Sequence, residues 1–300
     1  MTQLAALPRR RRGLALVAVL WTIAALMATA SGVVFAVRGE VRAVSAMREA
    51  AIAGALGEAG VVLAARQLAG APAAESRLLQ LDLSFQQAPI AVRIVPLTGL
   101  IDVNSASEAL LAELLAVAGE VQRERAVALA QRIVDWRDAD SQAQPNGAED
   151  AAYVAAGSAF RTRGGPFEAP EDLLQVLGID FDLYQRLRPL ITVHARGSGQ
   201  VDPEAAPLAV LRVLASGNDQ IAAAYASARE ARGSLADTTR FPAPFVARAA
   251  TSRYLVEAAV PLANGASLVT RRVLDLGATR DGLPWSVVWG ERVVEPADGD

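Results

Sequence analysis

Residues 14–37, from Leu14 to Val37, read LALVAVLWTIAALMATASGVVFAV, 24 consecutive positions without a charge. At about 1.5 Å rise per residue a helix of this length spans roughly 36 Å, more than the ~30 Å hydrocarbon core of a bilayer. Four arginines, Arg9 to Arg12, and Gly13 stand directly before it. The positive-inside bias keeps that cluster in the cytoplasm and places everything after Val37 across the membrane. A rival reading takes Ala28-Thr29-Ala30 as the end of an ordinary secretory signal, cut after Ala30. The apolar run continues past that cut and merges into more helix, which favours an anchor.

Beyond the greasy run, Val41, Val44, Met47, Ile52, Leu56, Val62 and Leu63 recur at mostly three- to five-residue steps to Leu68, with Pro72 as the stop. One helix from Leu14 to about Gln67 would extend roughly 80 Å. Its rear half sets this apolar face against Arg42, Arg48, Glu49, Glu58 and Arg66, the pattern of a helix packed on a sheet. Gly39, Gly54, Gly57 and Gly60 read as soft spots, each costing about 1 kcal/mol against alanine, and Gly39 as a place to bend.

Strand signals follow. Leu79, Leu81, Leu83 and Phe85 alternate, as do Ile90, Val92 and Ile94 after Gln86-Gln87-Ala88-Pro89, predicting a hairpin. Similar patterns return only at 254–260, 268–276 and 285–294. The intervening stretch of about 150 residues is too long for a loop and must hold one or two helical subdomains. The chain therefore divides into a leader (1–13), a membrane helix (14–37), the rear helix and first strands (38–98), a helical insert (99–197), a second helical segment (198–245), late strands (246–294) and an acidic tail (295–300). The fold class is α+β.

Composition excludes several chemistries. All 29 basic side chains are arginine, so a phosphate-binding P-loop lysine and Schiff-base catalysis are ruled out. The absence of cysteine removes thiolate nucleophiles and cysteine-ligated zinc or iron, and a single histidine, His194, rules out two-histidine metal sites. His194 follows the apolar run Leu190 to Val193 and reads as a satisfied structural residue, while Trp136 on an amphipathic helix reads as core. Ser105 and Ser107 read as helix caps, since nothing nearby could activate them as nucleophiles. No catalytic constellation survives, and the chain reads as a non-enzyme.

Inside the insert, Ile101 to Ser107 precedes a helix at 108–117, and Gln200 to Ala205 precedes another at 208–214. Asn104 or Ser105, and Asp202 followed by Pro203, read as the helix starts. The stretches VNSASEALLAELLAVAG, RAVALAQRIVDWRDAD and GGPFEAPEDLLQVLGID resemble SAM-like helix-hairpin-helix modules, whose DNA-binding members use paired hairpin glycines to hold phosphate. Here the first hairpin has Gly119 beside Glu120, and the second has Asp180 in place of a second glycine. From Gly99 to Ala195 there are 15 acids against 8 arginines, a balance that repels nucleic acid. A membrane-anchored nucleic-acid receptor is the alternative function, and both features argue against it.

The basic leader ending in Gly13, with Leu14 opening a long hydrophobic helix, resembles the signal of type IV pilins and type II secretion pseudopilins. In that family a prepilin peptidase cuts between the residues equivalent to Gly13 and Leu14, and the new N-terminus is methylated. Most members carry glutamate at the fifth mature position, where this chain has Ala18. Lack of that glutamate is characteristic of one subtype, the K-type minor pseudopilins. A buried carboxylate needs a charge partner, which a neighbouring subunit would supply, and a tip subunit has no neighbour above it. IVDWRDAD (133–140), NGAEDAAY (146–153), Gly165-Pro166-Phe167 and Glu171 to Gly178 resemble the helical domain of the same subtype in order and spacing. The resemblance implies a pilin-like fold, a long N-terminal helix packed on an antiparallel sheet with an inserted all-helical domain. It also implies an inner-membrane protein with a periplasmic head that caps the pseudopilus and supports protein export. Its partners would be minor pseudopilins of types I and J, the major pseudopilin and the exported protein.

Asp138, Asp140, Glu149 and Asp150 bracket a Pro/Gly/Asn loop. Clustering them is costly unless a hard cation or an arginine, Arg137 or Arg161, neutralises them. Asp138, Asp140 and Glu149 have the spacing of positions 1, 3 and 12 of a calcium loop, but Ala143 stands where an EF-hand needs glycine. The family resemblance implies calcium binding in this domain, with Asp138, Asp140 and Glu149 as first ligands and Asp150 after them.

Overall fold

The computed structural model describes residues 12–70, 77–85, 87–232, 236–277 and 284–296. The arginine-rich leader up to residue 11, Gln86 of the hairpin turn and residues 297–300 of the tail lie outside the described residues. Helix α1 runs Arg12–Gly70, so the Gly13–Leu14 bond falls within its first turn. It is helical through Gly39.

Two bodies divide the chain, residues 1–53 and 54–300. The first is helical from Arg12, and its large apolar side chains, among them Leu16, Trp21 and Phe35, are exposed. This helix is long and apolar enough to cross a membrane.

The second body contains a five-stranded antiparallel sheet in the order β1 (Leu79–Phe85), β2 (Ala88–Pro96), β5 (Arg253–Pro261), β6 (Ser267–Asp275) and β7 (Ser286–Glu295). The alternation in the sequence sets which face is buried, for Ile90, Val92 and Ile94 on β2 and Val256 and Ala258 on β5 are all 3% exposed or less. The rear of α1 covers that face. Gly54, Gly57 and Gly60, read from sequence as soft spots, are close-approach positions instead: a Cβ on Gly60 would lie 2.9 Å from Cγ2 of Ile90. Along one row of the sheet Arg93, Glu257, Arg271 and Glu291 sit in register on β2, β5, β6 and β7. Their ion pairs at 3.1, 2.7 and 3.1 Å link four strands with alternating charge. β7 runs on through Glu295, which pairs with Ser267, so the polar tail begins one residue later than the sequence suggests.

β2 and β5 are hydrogen-bonded neighbours, and the long insert leaves from one and returns to the other. It is not all-helical. β3 (Ile101–Asp102) and β4 (Ile191–Thr192) pair in parallel at its base, Ile101 with Ile191 and Asp102 with Thr192, and all four residues are buried. Between them lie α2 (Glu108–Val117), α3 (Arg123–Arg137), α4 (Asp150–Ala155) and α5 (Phe181–Leu187). α6 (Leu208–Leu214) and α7 (Asp219–Arg232) follow, and one hydrophobic core joins all six helices through side chains such as Leu111, Leu129, Tyr153, Leu183, Leu211 and Ala222.

Two predicted helix starts move. Ser107 is the N-cap of α2, its hydroxyl accepting from the Leu110 N–H at 3.3 Å. Asn104 is drawn away, since its amide donates to the carbonyls of Phe167 and Val193 and accepts from the Phe167 N–H at 2.7 Å. Asp202 caps a turn, accepting from the Glu204 N–H at 3.0 Å, and α6 starts later, behind Pro207.

Candidate metal centre

The centre is built where α3 ends. Trp136 in its last turn packs against Tyr153 of α4, ring centroids 5.8 Å apart, and stacks on Phe167 at 6.2 Å. This aromatic floor fixes the end of α3, confirming Trp136 as core at 3% exposure. Asp138 closes the helix with its N–H donating to the Val134 carbonyl. The chain then loops out and returns at Glu149, the residue preceding α4.

This route brings Asp138, Asp140 and Glu149 together, with one carboxylate oxygen from each within 4.8 Å of the others. Asp138 and Glu149 are half-buried and Asp140 is exposed. Asp138 Oδ1 and Glu149 Oε1 are fully shielded from solvent, yet neither has a hydrogen-bond partner. Burial, followed by the charges of Asp140 and Asp135, raises the Asp138 carboxyl above its ordinary range. Glu149 is raised too, first by burial and then by the neighbouring carboxylates, against a 3.1 Å hydrogen bond from the Thr162 hydroxyl. Neither arginine supplies the neutralising contact. Arg137 turns its guanidinium to the carbonyls of Val103 and Ala106, and Arg161 to those of Ser158 and Phe160.

Asp150 stands apart from the three. Its Oδ1 accepts from both the N–H and the hydroxyl of Thr162, at 3.0 and 2.9 Å. The donor set is oxygen only, and its two orphaned buried carboxylate atoms fit a hard divalent cation better than a transition metal.

Sequence reasoning missed the residues beneath this cluster. Asp135 is completely buried and Gln131 nearly so. An acid and an amide four residues apart on a helix whose apolar positions face inward were the available signal.

Elsewhere the hairpin amides that a phosphate would need are turned inward. Gly119 N–H donates to Leu114 O, Val121 N–H to Leu115 O and Ile179 N–H to Val176 O. His194 lines a cleft of about 190 Å³ with Arg188, Trp289 and Glu291. The ring is not fully satisfied as the sequence reading expected, for its Nε2 is buried without a partner. Burial, and after it Arg253 and Arg196, lowers its basicity.

Residues 92–196, which span the insert and its entry strand, match the family model described as type II secretion system (T2SS), protein K. The type II secretion system protein K of Pectobacterium carotovorum subsp. carotovorum is 39% identical over 70 residues, covering 23% of this chain and 21% of the relative. That of Klebsiella pneumoniae is 37% identical over 78 residues, 26% of this chain and 24% of the relative. The aligned segment thus spans about a quarter or less of either relative's length. The fold is similar to a chain in the crystal structure of the GspK-GspI-GspJ complex from the enterotoxigenic Escherichia coli type 2 secretion system. The TM-score is 0.56 at 18% identity, over 85% of this chain and 99% of that one. Over residues 92–196 the chain is thus similar to type II secretion system protein K, and over most of its length it shares the fold of a chain in the solved complex.

Proposed function

We propose that this chain is a minor pseudopilin that caps the pseudopilus of a type II secretion system, assembling with minor pseudopilins of types I and J. The observation that carries the reading is the largely helical insert at residues 99–197, set between adjacent strands β2 and β5 of the sheet, with residues 92–196 matched by the protein K family model. The shared fold with a chain of the GspK-GspI-GspJ complex supports the same partners here. In this reading α1 holds the protein in the inner membrane with its head in the periplasm. A prepilin peptidase cuts between Gly13 and Leu14, the new N-terminus is methylated, and the apolar front of α1 later packs among major pseudopilin helices. The work is mechanical, without a chemical step, and the helical domain is the surface offered to the exported protein.

Calcium belongs to the same proposal. Asp138, Asp140 and Glu149 would hold the ion, leaving further positions to water or carbonyls, since calcium takes six to eight oxygens. The ion would neutralise three crowded carboxylates and tie the end of α3 to the start of α4.

Intact mass and N-terminal sequencing of the membrane-extracted protein, with and without a prepilin peptidase, test the pathway. A chain starting at Leu14 is expected. A start at Ser31 would make it an ordinary secreted protein, and an uncut chain would remove it from the pilin pathway.

A further inference from the structure

The loop that carries Glu149 back to Asp138 and Asp140 is held by two side chains of the preceding helix. Asp135 and Gln131 lie four residues apart on one face of α3. Asp135 Oδ2 accepts from the Ala148 N–H at 2.8 Å, and both of its oxygens accept from the Gln144 N–H at 3.2 Å. Gln131 Oε1 accepts from the Asn146 N–H at 2.8 Å, while its Nε2 donates to Glu108 Oε1 at 2.9 Å. Three alternate loop amides, 144, 146 and 148, are thereby drawn down onto α3. Gly147 sits between the last two, and a Cβ there would stand 1.9 Å from Asp135 Oδ2. The clamp closes only because that position lacks a side chain.

A fully buried carboxylate is costly, and this one spends its acceptor capacity on loop amides rather than on an arginine. The result is placement. Glu149 directly follows the clamped Ala148, and its Oε1 is among the buried atoms left without a partner. We infer that Asp135, with Gln131, is a positioning residue that presets the 144–148 loop so that Glu149 meets Asp138 and Asp140, and thereby sets the affinity for a hard divalent cation. The inference rests on the calcium reading above. Groups that orient ligands from behind typically change metal affinity 10- to 100-fold when removed, and a loop already closed binds without the cost of ordering it.

The test is calorimetric titration of calcium into the full chain in detergent micelles, alongside its thermal melt in chelator. Asp135→Asn replaces one acceptor with a donor facing an N–H. Gly147→Ala keeps every charge and every ligand but wedges the clamp open, and Gln131→Ala removes a single amide contact. Expected are a roughly 10- to 100-fold weaker calcium Kd for the first two and a several-fold loss for the third. Variants that melt earlier in chelator but keep the wild-type Kd would overturn the inference, leaving a merely structural clamp. Loss with Asp135→Asn alone, while Gly147→Ala and Gln131→Ala bind normally, would also overturn it, because Asp135 would then act through its charge. A wild-type chain that takes up no calcium would sink the calcium reading itself, a failure separate from either of these. Should Asp135→Asn not fold, the milder Gln131→Ala decides.

Discussion

A Cβ on Gly57 would stand 2.3 Å from Oγ1 of Thr270, so α1 and β6 meet where only glycine leaves room. Thr270 is wholly buried, and its hydroxyl has no hydrogen-bond partner, so it has nowhere to move. Gly57→Ala gains up to about 1 kcal/mol of helix propensity but overpacks the interface by ~1–3 kcal/mol. A net loss of stability is expected in thermal melts of the detergent-solubilised chain. Thr270→Ala should restore part of it in the double variant, since the oxygen is the nearest atom. Additive effects of the two changes would show that the contact carries no strain.

The Arg253–Asp275 pair predicts a pH dependence. The two groups meet at 2.9 Å with side chains 10% exposed. Burial alone would raise the Asp275 carboxyl, but hydrogen bonds from the Gly277 N–H, the Ser252 hydroxyl and Arg253 hold it below its ordinary 3.8. A carboxyl depressed in the folded state contributes stability that is complete above its unfolded pKa and is lost as pH falls through the folded one. The wild-type protein should therefore lose stability relative to Asp275→Asn as pH drops below about 4. At neutral pH the substitution should cost ~3 kcal/mol, as for a broken buried pair. Parallel stability curves for the two proteins between pH 6 and 3 would contradict this.

Neutralising the acidic cluster separates ligands from bystanders. Asp138→Asn and Glu149→Gln should abolish the rise in melting temperature on adding calcium. That rise corresponds to about 2.7 kcal/mol when free ion is a hundredfold above Kd. Both variants should also be slightly more stable than wild type in chelator, because each removes a crowded buried charge. Asp150→Asn, whose partner is Thr162, should keep the calcium response within two- to threefold in Kd. Equal loss in all three variants would bring Asp150 into the ligand set.

Periodicity made the scaffold legible. The 3.6-residue stripe gave α1, and the alternation of Ile90, Val92 and Ile94 gave β2 with its buried face, because each pattern reports a single element against a single neighbour. The three carboxylates were also visible, since they lie within twelve residues of one another and need only one loop to meet. What stayed hidden depends on contacts far apart in sequence. Asn104 looked like a helix cap, yet its side chain is claimed by Phe167 and Val193, 63 and 89 residues away. Gly57 and Gly60 looked like weak points until the sheet was laid against them. Asp135 carries no mark in the sequence of the amides that it holds, because they belong to a loop without periodicity.

Co-expression of the full chain with the type I and type J minor pseudopilins of its own secretion system, followed by affinity purification from detergent and native mass measurement, tests the central claim most directly. The account predicts a stable complex holding one copy of each subunit. A chain that elutes alone while the type I and J proteins still bind each other would contradict a place at the pseudopilus tip.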